Sequence, residues 1–191
     1  VFNDPIALQK KLSSIRSVNY VIFEVIIMDG GSTDSTLEVI KANDDIITYW
    51  SSEPDEGEYD AMNKGIAVAT GKGLLFVMAG DYFKSPFSCN NIPVPSFLNV
   101  EKLLPNGNTK SIKIKSFKMG LPNCHQGIVF ENNKNNKFDL SYKVASDYNY
   151  YLDFDYGDTL SVVCDDCVLV YDEGYSGINS VQRDNEIYAI I

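Results

Sequence analysis

The chain has 191 residues, a formal net charge of −10 and a sequence pI near 4.5. Nucleic acid demands a basic footprint, so an acidic chain of this kind argues against a nucleic-acid partner. It does not exclude a phosphate-bearing ligand held through a metal ion or a local basic residue. Hydrophobic content of 45% with 22% charged residues is ordinary for a globular protein. The length is enough to bury a full core in one domain, or one with a small appendage, and no apolar run approaches the ~20 residues of a bilayer-spanning helix.

Asn3 or Asp4 is placed to cap a helix with Pro5 in its first turn, and Ile6, Leu8, Leu12 and Ile15 form its expected buried stripe. Residues 23–28 read as a strand. The apolar run Val25–Met28, of the kind buried on both faces, stops abruptly at Asp29. Gly30 and Gly31 allow a tight turn and close approach of a ligand to the backbone. Ser32, Thr33 or Asp34 then caps a helix over 33–42 that buries Leu37, Ile40 and Val39. Open α/β sheets bind ligands at strand carboxyl ends, in such strand–loop–helix units. Ile46–Trp50 reads as a second parallel strand, and residues 51–57 as an acidic loop.

A helix over 58–70 follows, with Met62, Ile66 and Ala69 spaced for the core. Tyr59 and Asn63 share one of its faces and Asp60 and Lys64 another; the second pair also reads as a surface ion pair of little energetic worth. Leu74–Met78 is a buried strand ending at Ala79-Gly80-Asp81. Prolines punctuate residues 84–110, and Ser111–Phe117 alternates as an exposed or edge strand. Lys113, Lys115 and Lys118 give that stretch a small basic face, either a solvated edge or a contact for an anionic membrane. Ile128–Phe130 is a short strand after Cys124-His125-Gln126-Gly127. A helix is entered near Ser146, packing through Tyr148, Tyr151 and Leu152, and Leu160–Tyr171 reads as an edge strand. Cys164 and Cys167 form a CxxC, but it lies in a Val-rich strand with no second CxxC, so reduced thiols are expected before zinc or a redox pair.

Asp29-Gly30-Gly31-Ser32-Thr33-Asp34 resembles the DGGSTD signature of family 2 glycosyltransferases with the GT-A fold. Residues 53–66, EPDEGEYDAMNKGI, resemble the EPDxGxYDAMNKGI block of the branch that builds bacterial surface polysaccharides. Ala79-Gly80-Asp81, Cys124-His125-Gln126 and Ala145-Ser146-Asp147-Tyr148 follow in the family's order, so the resemblance spans most of residues 1–150. It implies an α/β GT-A fold: a mostly parallel central sheet flanked by helices, with nucleotide at the strand ends. It also implies one GT-A domain whose first strand ends near Val1-Phe2-Asn3, most of it preceding Val1, and whose C-terminal end is cut in mid-pattern at Ile187–Ile191.

The activity implied by the resemblance is transfer of a sugar from a nucleotide-diphosphate-sugar donor, a UDP-sugar being favoured, to an acceptor hydroxyl. The acceptor would be a saccharide or lipid-linked saccharide, the mechanism an inverting in-line displacement, and the product a capsule, O-antigen or exopolysaccharide linkage. The location would be the cytoplasm, with a peripheral contact at the inner membrane. Asp29 is implied by the resemblance to read the uracil or ribose edge, as a carboxylate that accepts from base N–H groups and hydroxyls. Glu53, Asp60 and Asn63 are implied to line the donor site, with the N–H groups of their helix facing phosphate. Asn3 matches a nucleobase-contacting position, with a plain helix cap as its other reading.

Asp81 stands where GT-A enzymes hold Mn²⁺ or Mg²⁺ against the donor diphosphate. Met78 replaces the Asn of the branch's Asn-Ala-Gly-Asp, so Asp81 is the one acid left, a number that Mg²⁺ accepts when phosphate and water supply the rest. His125 matches a residue near acceptor and diphosphate, as metal ligand or phosphate donor. Asp147 matches the base that a poorly nucleophilic sugar hydroxyl requires, with Asp153 and Asp155 as weaker rivals. Structural readings stay open: a helix cap for Asp34, a turn for Asp81, and a dipole-favoured helix start for Asp147. Two rival functions are a decayed nucleotide-binding module of the same fold and a sugar-phosphate nucleotidyltransferase. The latter wants a Gly-rich basic loop after its first strand, whereas the loop after 23–28 is acidic.

Overall fold

The computed structural model describes residues 1–18, 23–78, 80–84, 92, 94–112, 127–152 and 168–171. Helix α1 (Pro5–Arg16) starts as its sequence predicts: Asp4 Oδ1 accepts from the Ala7 N–H at 3.0 Å, and Pro5 needs no partner for a missing N–H. It buries Ala7, Leu8 and Leu12, but Ile6, expected in the same stripe, is 82% exposed. At ~100° per residue Ile6 lies ~200° round the helix from Leu8, outside the arc that meets the core.

Strand β1 (Ile26–Asp29) pairs in parallel with β2 (Tyr49–Ser52), and α2 (Thr36–Ala42) makes the crossover. Leu8, Leu12, Val25, Ile27, Ile40 and Ile47 form the core between them. β2 begins later than the apolar run Ile46–Trp50 suggests. The residues after α2 turn first, with Ile46 N–H bonded to Asn43 O and Ile47 N–H to Asp44 O, while Ile47 still fills the core. Val1 lies along β1: its amino nitrogen donates to Met28 O at 2.7 Å, and the Gly30 N–H donates to Val1 O at 2.9 Å.

Helix α3 (Glu58–Val68) buries Tyr59, Met62 and Ile66. β3 (Gly73–Leu75), β8 (Ile128–Glu131) and β5 (Ser96–Phe97) form an antiparallel sheet in the order β3-β8-β5. A third sheet runs β4 (Tyr82–Phe83), β9 (Val168–Tyr171), β6 (Asn99–Leu103), β7 (Thr109–Ile112). Within it only β6 and β9 are parallel. The strand pairing among the described residues is therefore mixed, not mostly parallel. The β6–β7 connection shows why: the Leu104–Asn108 turn, with Gly107 at φ 82°, is a hairpin too short for a parallel crossover.

Helix α4 (Ser146–Leu152) is buried through Ser146, Tyr150 and Tyr151 rather than through Tyr148 and Leu152; Leu152 is 57% exposed. The reason is an aromatic stack. Phe138 lies over Tyr150 at 4.2 Å and Phe130 over Tyr151 at 5.3 Å, so those two tyrosines set the face that packs. Among the described residues no helix is long and apolar enough to cross a membrane.

Candidate donor site and catalytic base

Asp29 ends β1 and is 2% exposed. Its Oδ1 accepts from Ser32 Oγ at 2.5 Å, and its Oδ2 accepts from Ser32 N–H at 2.8 Å and Ser52 Oγ at 2.6 Å. Burial pushes the carboxyl upward, but the hydrogen bonds from Ser32 and Ser52 outweigh it and hold the group below its usual value. The loop that follows is shaped by close approach. A Cβ at Gly30 would meet Asp55 Oδ2 at 2.8 Å; one at Gly31, whose φ is +82°, would meet the Pro54 nitrogen at 3.2 Å. The loops after β1 and β2 are thus packed closely on each other.

Asn3 joins the same loop. At φ 46° its N–H donates to Ser32 Oγ at 2.7 Å and its Oδ1 accepts from the Thr33 N–H at 2.8 Å. Asp4, not Asn3, is the cap of α1, so Asn3 is a brace of the glycine loop. Asp34 is engaged locally, accepting from Thr36 N–H and Thr36 Oγ1 at 2.9 and 2.6 Å.

The second loop is tied back onto α3. Lys64 Nζ lies 3.1 Å from Glu53, 3.2 Å from Asp60 and 3.2 Å from the Pro54 carbonyl, and Asp60 Oδ2 also accepts from the Glu56 N–H at 3.2 Å. The Glu56 N–H and Lys64 hold the Asp60 carboxyl below its ordinary value against its modest desolvation. Glu53 and Asp60 therefore do come together, through Lys64. Asn63 does not join them. Its Nδ2 donates to Phe138 O at 2.9 Å and its Oδ1 accepts from the Phe138 N–H at 2.8 Å, so the amide expected to line the donor site is a clamp on a distant segment. The cause is geometric: Asn63 and Lys64, one residue apart, point ~100° apart round the helix.

Asp81 is 2% exposed. Its Oδ2 accepts from the Met78 N–H at 2.9 Å, and its own N–H donates to Met78 O at 3.1 Å. Lys11 reaches the same stretch between β3 and β4, Nζ to Val77 O at 2.9 Å; burial lowers its pKa to about 8 while Asp81 and Asp4 support its charge. Among the described residues no group of three or more His, Cys, Asp and Glu side chains converges as a metal cage. The residues fit a divalent ion only as one carboxylate that shares it with a diphosphate and water, a set that Mg²⁺ accepts.

Asp147 sits in the first turn of α4, half-buried, its Oδ1 accepting from the Tyr148 N–H at 2.8 Å. His125 lies outside the described residues, as do Asp153, Asp155, all four cysteines and Lys113, Lys115 and Lys118. Ser52 and Asp55 complete the loop pair, and sequence reasoning misses both. The signal for Ser52 is its place at the end of the second strand, opposite Asp29 in a parallel register.

The architecture is the mixed α/β GT-A fold. S. aureus TarS 1-349 in complex with UDP superimposes with a TM-score of 0.67 at 16% identity, over 90% of this chain and 58% of that one. Its complex with UDP-GlcNAc gives 0.70 at 15% identity, over 100% and 63%. The model of the family described as glycosyl transferase family 2 matches residues 1–86. An uncharacterized glycosyltransferase of Mycobacterium tuberculosis (strain CDC 1551 / Oshkosh) is 43% identical over 86 residues, 44% of this chain and 33% of the relative. A PGL/p-HBAD biosynthesis glycosyltransferase of Mycobacterium bovis (strain BCG / Pasteur 1173P2) is 42% identical over 64 residues, 31% and 24%. The chain thus covers a third or less of the length of these curated relatives.

Proposed function

We propose that this protein transfers a glycosyl group from a nucleotide-diphosphate-sugar, a UDP-sugar by preference, to a saccharide or lipid-linked saccharide hydroxyl in bacterial surface-polysaccharide synthesis on the cytoplasmic side of the membrane. The observation that carries the reading is Asp29: an ionised carboxylate at a strand end, in a glycine loop packed on the loop of the next strand. Of its roughly four acceptor directions three are used by Ser32 and Ser52, which leaves about one for a base N–H or a ribose hydroxyl. The UDP and UDP-GlcNAc named with the TarS structures favour the uridine series.

In the reaction Asp147 takes the acceptor proton as the hydroxyl oxygen attacks the anomeric carbon, and the bond to the departing nucleoside diphosphate breaks on the opposite face, inverting the centre. Asp29 holds the nucleoside, while Glu53 and Asp60, fixed by Lys64, set the loop beside it. Asp81, with His125 as a further candidate by its motif, would hold Mn²⁺ or Mg²⁺, which would supply neutralisation of charge on the leaving diphosphate. Thermal shift against UDP, GDP, CDP and ADP, each with and without Mn²⁺, tests the reading. A ligand at about 100 times its Kd stabilises the fold by ~2.7 kcal/mol, so UDP with Mn²⁺ should raise Tm visibly. No shift with any nucleotide would remove the donor assignment.

A further inference from the structure

Helix α3 carries two adjacent sets of ties. Asp60 and Lys64 hold the 53–57 loop at its start. Tyr59 and Asn63, one residue earlier in each case, face another way. Tyr59 Oη donates to the Val144 carbonyl at 2.8 Å, and Asn63 makes its paired bonds to Phe138. These partners bracket the segment that leads into α4. Val144 is three residues before Asp147, and the Ala145 carbonyl beside it accepts from the Tyr148 and Asn149 N–H groups that open the helix. The Tyr59 ring stacks on Phe138 at 5.4 Å, and Phe138 in turn stacks on Tyr150 of α4 at 4.2 Å.

We propose that Tyr59 and Asn63 are positioning residues that fix Asp147 relative to the donor loop, with α3 as the rigid spacer between them. The inference rests on Asp147 being the base. It replaces the donor-lining role expected of Asn63 with a mechanical one. A helix of a few turns has little stability of its own in isolation, so the placement of the described start of α4 depends on what holds its entry and its aromatic face. The aromatic stack holds the face; the Tyr59 hydroxyl and the Asn63 amide hold the entry.

The test compares Tyr59→Phe, which removes one hydroxyl and leaves the stacked ring, and Asn63→Asp, which keeps the shape but cannot donate to Phe138 O. In each, amide hydrogen exchange at Tyr148 and Asn149 should speed up about tenfold, while Ser32 and Thr33 in the glycine loop keep wild-type protection. UDP affinity in the presence of Mn²⁺ should stay within about twofold. UDP release from a UDP-sugar, counted per folded molecule, should lose ~10–100-fold in kcat with KM for the donor unchanged, the scale expected of a misplaced catalytic group. Unchanged exchange at α4 in both variants overturns the proposal, as does a tenfold loss of UDP affinity, which would put the residues at the donor. Asp147→Asn is run alongside. If it turns over normally, the base assignment is lost and the exchange result alone decides whether α3 holds α4. A wild-type protein that releases no UDP sinks the donor reading and again leaves the exchange result to decide.

Discussion

Ser52 Oγ donates to Asp29 Oδ2 at 2.6 Å across the last register pair of β1 and β2. One carboxylate thereby receives a bond from the neighbouring strand and, through Ser32, from its own glycine loop. Asp29→Asn should cost about 2–3 kcal/mol, because hydrogen bonds to a charged acceptor are worth ~1.5–3 kcal/mol and the amide end turns a donor toward donors. The pH dependence has a definite sign. The folded carboxyl lies below its ordinary value, so the unfolded chain binds the proton more readily. Its contribution is complete above the unfolded carboxylate pKa of ~3.9 and is lost as pH falls through the lower folded value. Urea midpoints of wild type and Asp29→Asn should therefore differ at about pH 7 and converge below ~pH 4. A gap that persists in acid would mean that charge at Asp29 is not what stabilises the loop.

Gly31 is the tightest conformational requirement in the same loop. At φ +82° any other residue is strained, and a Cβ would press on the Pro54 nitrogen at 3.2 Å. Gly31→Ala should lose ~1–2 kcal/mol for the left-handed backbone alone. It should also push apart the two loops that hold Asp29 and Glu53, so UDP affinity should fall more than Tm predicts. Isothermal titration with UDP and Mn²⁺ reads the second effect; an alanine variant with wild-type affinity would show that the two loops need not touch to bind donor.

How much of this was legible depended on the range of the interaction. The cap of α1 is written in Asp4-Pro5 and the structure reproduces it, while the strand expected over 23–28 runs Ile26–Asp29 and the helix expected from 33 begins at Thr36 after Ser35. The start of α4 at Ser146 was also readable locally. What failed was orientation. Ile6 and Leu152 are apolar at helical spacing yet exposed, because the facing surface that selects the buried arc comes from other segments. Asn63 carries a donor-site expectation from its motif alone. Its actual partner, Phe138, is 75 positions away, and no local pattern records such a pairing. The mixed strand order is of the same kind: β8 binds both β3 and β5, which flank it only in space.

Asp147→Asn should abolish transfer, by ~10²–10⁴-fold, the range a positioned base supplies. Donor binding should be nearly intact, since the bond it makes to Tyr148 N–H can be kept by the amide oxygen. Product formation and UDP titration on the same preparation separate the two. A fully active Asn variant removes Asp147 as the base and moves attention to Asp153 and Asp155.

Asp81 has two jobs to disentangle, since its carboxylate both accepts from the Met78 N–H and supports the charge of Lys11. Asp81→Asn can keep the turn bond but not a full charge for a cation; Asp81→Ala loses both. If Asp81 anchors the metal, both variants should lose the enhancement of UDP binding by Mn²⁺, while only alanine should also leave the part-buried Met78 N–H without its bond, at a cost of up to ~1–3 kcal/mol. Titration of UDP with Mn²⁺ or with EDTA gives the first quantity and thermal unfolding the second. Should the Asp81→Asn variant bind UDP with undiminished metal dependence, the ion is held elsewhere and Asp81 is a turn residue beside a buried lysine.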